Sequence, residues 1–125
     1  MPDAEAPVLD EAVLIELKET TGDDPAFVRD LVETYLADVP IQLGGIEAAI
    51  AANDAEALIR PAHTLKSSSA AVGAMRLSDV SRTLEMAGRS GTLDASAPDN
   101  AKAARAEWQS VEAAFSAWMA GEGRA

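Results

Sequence analysis

The 125-residue sequence contains no cysteine, which excludes disulfide scaffolds, zinc–thiolate sites and thiol chemistry. Aromatic residues make up only 4% of a chain that is 48% hydrophobic, so the core is predicted to be mostly aliphatic. No apolar run approaches the roughly 20 residues of a membrane-spanning helix. The acidic segment 1–10 also lacks the apolar stretch of a secretory signal. We therefore expect a cytoplasmic domain with no membrane partner.

Basic residues are scarce, since 10 Lys and Arg side chains face 21 Asp and Glu, and the net charge is −11. A nucleic-acid partner is not expected, because neutralising phosphates requires a basic face. The charge is uneven. Residues 1–56 carry 14 acidic and two basic side chains, whereas residues 57–93 carry five basic and two acidic ones. This local basic region is either an ordinary solvated face or part of a binding surface, and charge alone leaves both open.

Helix signals recur along the chain, and the period-two alternation of strands does not. Capping residues, prolines and glycines predict five helical segments, at about 10–20, 24–50, 54–73, 74–90 and 98–121. In the second segment Pro40 and the pair Gly44-Gly45 interrupt an apolar stripe. Because the stripe itself continues on one face, a kinked helix is favoured over two separate helices.

Short connections between successive helices make them antiparallel neighbours. Residues 1–125 are thus predicted to form one all-α domain, an antiparallel up-down four-helix bundle with a short additional N-terminal helix. The ordered core is expected at about 8–120, with a flexible N-terminal segment and C-terminal tail.

The single histidine, His63, lies in the third predicted helix. At about 100° per residue, the core-facing side of this helix is formed by one cluster of positions: Leu58, Ala62, Leu65, Ser69 and Val72. His63 lies about 140° away from this cluster and is predicted to point outward. No carboxylate that would orient its ring is evident. Neither a serine nucleophile paired with it nor a metal-binding pattern is found, so no metal site is expected.

The neighbours of His63 suit a reaction with a negatively charged group. Its outer face is predicted to comprise Ile59, Arg60, Lys66, Ser67 and Ala70. Small residues on the C-terminal side leave room for a partner, and the nearby cations can stabilise a dianionic group on the ring. A neutral imidazole is a nucleophile at neutral pH, so it can carry such a group covalently.

The segment 63–74 reads HTLKSSSAAVGA. It resembles the signature of the HPt (histidine-containing phosphotransfer) domain family, which is His-x-Leu-Lys-Gly, then small residues, an apolar residue and Gly-Ala. Similar features elsewhere in the chain are Leu9-Asp10, Phe27, Asp54, Leu84-Glu85 and Arg89-x-Gly91. One departure is Ser67, which stands where the family usually has glycine.

The resemblance implies a four-helix bundle in which His63 accepts a phosphoryl group from an aspartyl phosphate on a receiver domain. His63 then passes the group to a second receiver domain, with Lys66 as its positive neighbour. The implied partners are receiver domains of a hybrid histidine kinase and of a response regulator. They would dock on Ile59, Arg60, Ser67 and Ala70.

The resemblance also implies a monomeric phosphocarrier that is not an enzyme and needs no cofactor, with Mg²⁺ and the catalytic groups on the receiver partner. Two alternatives remain. The chain is a helical adaptor that binds a receiver or another partner without phosphotransfer, or it is a hydrolase that uses His63 as a general base. The hydrolase is disfavoured because an outward-facing ring has no evident cleft.

Overall fold

The computed structural model describes residues 7–22 and 24–122, and their regular structure is entirely α-helical. Its five helices are α1 (Glu11–Thr20), α2 (Pro25–Ala51), α3 (Ala55–Ala71), α4 (Met75–Arg89) and α5 (Ser96–Glu122). The five predicted segments are confirmed, and α2 is one helix that runs through Pro40 and both glycines. The expected flexibility of the chain ends falls mainly on residues 1–6 and 123–125, which lie outside the described residues. No described helix is long and apolar enough to cross a membrane.

Three aspartates start helices as predicted. The side chains of Asp10, Asp24 and Asp54 each accept a hydrogen bond from a backbone N–H in the first turn of the helix that follows.

The predicted start of the fifth helix is wrong by two residues. At the observed start of α5 the Asp94 carboxylate accepts a hydrogen bond from the Ser96 N–H at 2.8 Å. Pro98 therefore lies within the first turn of α5, where its missing N–H breaks no helical hydrogen bond.

Helices α2 to α5 form a four-helix bundle, in which each helix packs against the next and α5 closes the bundle against α2. Contacts between opposite ends show that α2 and α5 are antiparallel. Arg29, near the start of α2, donates to the Met119 carbonyl at 3.1 Å, and Glu47, near its end, pairs with Arg105. Helix α1 packs on α2 as the short additional helix. The predicted architecture is confirmed.

The turn between α3 and α4 is made by Gly73, which has a positive φ of 85°. A Cβ atom there would lie 2.6 Å from the backbone oxygen of Asp10, so only glycine fits. The Asp10 N–H donates to the Gly73 carbonyl at 2.8 Å. This turn thus anchors the start of α1 and sets the antiparallel pairing of α3 with α4.

The core is mainly aliphatic, with one aromatic cluster in which Tyr35 packs edge-on against Trp108 and Phe115. The Tyr35 hydroxyl and the Ser69 hydroxyl are 2.8 Å apart, so each satisfies the other inside the core. Burial raises the pKa of Tyr35 to about 12. The predicted core face of α3 is confirmed, because all five of its residues are at most 2% exposed.

Helices α3 and α4 approach most closely where Gly88 of α4 faces the first turns of α3. A Cβ atom on Gly88 would lie 2.8 Å from the Ala55 carbonyl oxygen and 2.9 Å from a side-chain carbon of Ile59. The missing side chain lets the two backbones come together. This close packing places Glu85, about one turn earlier in α4, beside His63 of α3.

Candidate functional site

His63 lies on the outer face of α3, on the side that faces α4. Its side chain is 53% exposed, which confirms the outward orientation that the helical wheel predicted. The ring is nevertheless held. Its Nδ1 atom lies 3.0 Å from Oε2 of Glu85 on α4. An exposed imidazole with one fixed nitrogen is therefore the centre of the site.

Glu85 is the residue that sequence reasoning missed, and the expectation that no carboxylate orients His63 is wrong. The two residues are 22 positions apart, on different helices, so a wheel drawn for one helix cannot bring them together. Two signals were present in the sequence. Positions at similar distances from the turn at Gly73 meet when α3 and α4 pair, and the pair Leu84-Glu85 belongs to the family resemblance.

The carboxylate of Glu85 is surrounded by cations. The Lys66 ammonium lies 2.7 Å from Oε1. The Arg89 guanidinium donates to Oε2 from Nε at 2.9 Å and from Nη2 at 2.7 Å. The Glu85 side chain is only 6% exposed, and this burial alone would raise its pKa. The hydrogen bond from Lys66, with those from Arg89 and His63, instead lowers the pKa of Glu85 to about 2.

The ionised carboxylate determines which tautomer of His63 is present. An ionised carboxylate only accepts hydrogen bonds, so Nδ1 of the ring must carry the proton that lies between them. In the neutral ring Nε2 then has the free lone pair. The arrangement can therefore present one nucleophilic nitrogen to a partner and offer a negative charge to the other side of the ring.

The low pKa of Glu85 predicts a pH-dependent contribution to stability. The folded-state pKa is about 2 against an ordinary 4.5, so the contribution is complete above pH 4.5 and is lost as the pH falls toward 2. Glu85→Gln keeps the shape but cannot titrate. We expect the difference in free energy of unfolding between the two proteins to shrink by about 2 kcal/mol from pH 6 to pH 3. Urea unfolding across this range measures it. A difference that stays constant would show that the carboxylate is not held in this way.

Lys66, the predicted positive neighbour of His63, projects toward the same carboxylate. Its ammonium group is paired with Glu85, and its side chain is 30% exposed. A lysine with three rotatable donors on a flexible stem can exchange one anionic partner for another nearby. Its predicted interaction with a phosphoryl group stays a prediction, and its described partner is Glu85.

The other predicted docking residues all lie on or beside the outer face of α3. Arg60 and Ser67 are exposed, whereas Ala70 is half-buried. Ile59 is also half-buried, because its side chain lies against Gly88. Ile59 thus belongs to the contact between α3 and α4, and only part of its surface faces outward.

The basic region contains two kinds of cation. Lys66 and Arg89 share the charge of Glu85, and Arg76 pairs with Glu107 at 2.7 Å. In contrast, the exposed Arg60 takes part in none of the described ion pairs, and the same holds for Arg82, which lies on the outer surface of α4. Within the described ranges no three His, Cys, Asp or Glu side chains are grouped so that they could hold a metal ion.

Comparison with known proteins identifies the family of the chain and its fold. The Hpt domain family model matches residues 30–117. The fold is similar to the crystal structure of histidine-containing phosphotransfer protein B (HptB) from Pseudomonas aeruginosa PAO1. The TM-score is 0.79 and the sequence identity 33%, over 90% of this chain and 94% of that chain. No curated protein sequence matches the chain significantly. Because the family model covers well over half of the sequence, the protein belongs to the Hpt domain family of histidine phosphotransfer proteins.

Proposed function

We propose that the protein is a phosphocarrier of a multistep phosphorelay in which His63 is the phosphoryl acceptor. The donor is the aspartyl phosphate on the receiver domain of a hybrid histidine kinase, and the recipient is the receiver domain of a response regulator. One observation carries the assignment. His63 is exposed, and its Nδ1 atom is hydrogen-bonded to the buried, ionised carboxylate of Glu85.

The chemistry follows from this pair. The lone pair on Nε2 attacks the phosphorus atom, an N–P bond forms, and the P–O bond to the aspartyl carboxylate breaks. The carboxylate leaves with the bonding electrons. The ring keeps its proton on Nδ1 and so gains positive charge, which the adjacent Glu85 carboxylate stabilises. The reverse reaction on a second receiver domain restores the neutral ring.

The carrier itself supplies the nucleophile and its electrostatic surroundings, and the partner supplies the rest. We propose that Mg²⁺ and the remaining catalytic groups belong to the receiver domain, where the ion neutralises the phosphoryl oxygens. The carrier then needs no cofactor and works as a monomer in the cytoplasm. Transfer from a receiver takes place only while that receiver is docked, and this fits the exposed position of the ring.

The docking surface that we propose comprises Ile59, Arg60, Ser67 and Ala70. It surrounds His63 on α3, and small or half-buried residues leave the ring accessible. Arg60, which takes part in none of the described ion pairs, adds a positive charge to this surface in an otherwise acidic protein. Such a potential attracts a partner whose reactive centre is negatively charged.

The function is tested by mixing the protein with a phosphorylated receiver domain and Mg²⁺. A carrier gains one phosphate that is lost in acid and stable in base, as expected for phosphohistidine. A helical adaptor binds the receiver and gains no phosphate. Binding without labelling would overturn the proposal in favour of the adaptor.

The role of Lys66 predicts a partial loss of function. In Lys66→Ala, the phosphorylated state loses a cation three residues from His63. We expect transfer to slow, or the phosphohistidine lifetime to shorten, by about tenfold, which corresponds to one partly exposed charge-assisted hydrogen bond. Single-turnover transfer and the decay of isolated phosphoprotein measure the two quantities. If both match the wild type, Lys66 serves only to neutralise Glu85.

A further inference from the structure

We infer that Arg89 is a positioning residue, which keeps Glu85 seated against Nδ1 of His63 when Lys66 turns to the phosphoryl group. The inference rests on the proposed function, because it assigns a role within the same transfer site. Sequence reasoning gave Arg89 no such role. It is the last residue of α4, and its side chain is 58% exposed.

The two cations do not contact the carboxylate in the same way. Both donors of Arg89 converge on Oε2, the same oxygen atom that lies 3.0 Å from His63. Lys66 instead faces Oε1. The contact that determines the position of Oε2 is therefore made by Arg89, and Lys66 can leave without disturbing the oxygen that orients the ring.

Phosphorylation of His63 explains why two cations on different oxygen atoms of Glu85 are useful. A phosphoryl group on His63 places up to two negative charges three residues from Lys66, and this competes directly with Glu85 for the ammonium group. A buried carboxylate that loses its only cation is strongly destabilised. With Arg89 in place, Glu85 keeps a cation and stays ionised, and its negative charge remains beside the ring.

An arginine suits this position better than a lysine. Its guanidinium is planar and always charged, and Nε and Nη2 point in nearly the same direction, so both N–H groups reach one oxygen atom. Arg89 and Glu85 are four residues apart on α4, and the arginine lies in the last turn, where the helix dipole favours a positive charge. The pair is therefore held within a single helix and does not depend on the partner.

The tautomer of His63 tests the inference without any phosphotransfer. Nitrogen-15 NMR of the unphosphorylated full chain reports which ring nitrogen carries the proton, at about pH 9, where histidine is ordinarily neutral. In Arg89→Ala we expect the Nε2–H tautomer to rise about threefold, as one charge-assisted hydrogen bond is weakened. Arg89→Lys should give a tautomer ratio between those of Arg89→Ala and the wild type. The matched control is Arg82→Ala, which removes an exposed charge from the same helix and should leave the tautomer unchanged.

Phosphorylation by a small molecule gives a second readout of the role of Arg89. In Arg89→Ala the rate of phosphorylation by a small-molecule phosphodonor should fall in proportion to the remaining fraction of the Nδ1–H tautomer, because Nε2 is presented less often. Wild-type tautomer ratios in Arg89→Ala would overturn the inference, as would an equal change in Arg82→Ala. If the wild type accepts no phosphate at all, the proposed function fails, while the tautomer ratios still decide the role of Arg89.

Discussion

His63→Gln is expected to abolish phosphate uptake, so that labelling by a phosphorylated receiver falls to the background of the receiver alone. The amide of glutamine is not a nucleophile at phosphorus, and the described residues include no second histidine. Transfer of radioactive phosphate, followed by electrophoresis, measures the loss. Labelling that persists in this variant would contradict the assignment of His63 as the acceptor.

The same variant should remain folded, which makes the loss interpretable. His63 lies outside the buried face of α3 and its side chain is 53% exposed, so its replacement removes no core packing. Glu85 keeps Lys66 and Arg89 as cationic partners, so losing its contact with His63 should cost no more than about 1.5 kcal/mol of stability. Far-ultraviolet circular dichroism and urea unfolding of both proteins provide the control. Receiver binding should also survive.

Ser67→Tyr is expected to block transfer from a receiver domain while His63 stays chemically intact. Ser67 lies one turn beyond His63 on the same exposed face, so a large ring there occupies the space that a docking partner needs. We expect the transfer rate to fall on the order of 100-fold, the effect of a steric clash at the centre of an interface. Rapid-mixing kinetics with the phosphorylated receiver measure the rate.

A small-molecule phosphodonor supplies the control for Ser67→Tyr. Such a donor needs no protein docking, so it should phosphorylate the variant at close to the wild-type rate. The matched substitution is Ser67→Gly, which restores the residue usual in the family. It should keep or modestly improve docking, at a cost of up to about 1 kcal/mol in helix stability. If Ser67→Tyr accepts phosphate from the receiver as fast as the wild type, this face of α3 is not the docking surface.

The fold was predictable because its determinants are local. Aspartate caps, Pro25 and the glycine turns mark where helices begin and end, and the apolar stripes repeat at helical spacing. The apolar stripe of α2 predicted one continuous helix correctly despite the internal Pro40, since packing on one continuous face outweighs a single lost hydrogen bond. The start of α5 was misplaced because Asp94 caps the helix before Pro98, and two adjacent signals compete there.

Only the part of the site on α3 was predictable from the sequence, because the remaining contacts are made between helices. The wheel of α3 placed His63 outward from residues on its own helix alone. Glu85 and Arg89 come from α4, and their contacts depend on how α4 is rotated and how closely Gly88 lets it approach. The packing of Ile59 against Gly88 also depends on this close approach of α4 to α3. Tertiary contacts of this kind have no periodicity within a single helix, so the pattern of α3 cannot indicate them.

In the proposed mechanism Nε2 of His63 carries the phosphoryl group while Nδ1 keeps its proton beside Glu85. Phosphorus-31 and nitrogen-15 NMR of the phosphorylated protein distinguish the two ring nitrogens, because nitrogen–phosphorus coupling identifies the bonded nitrogen. We expect one phosphoryl group per chain, bonded to Nε2 of His63. A phosphoryl group on Nδ1, on another residue or on no residue would contradict it.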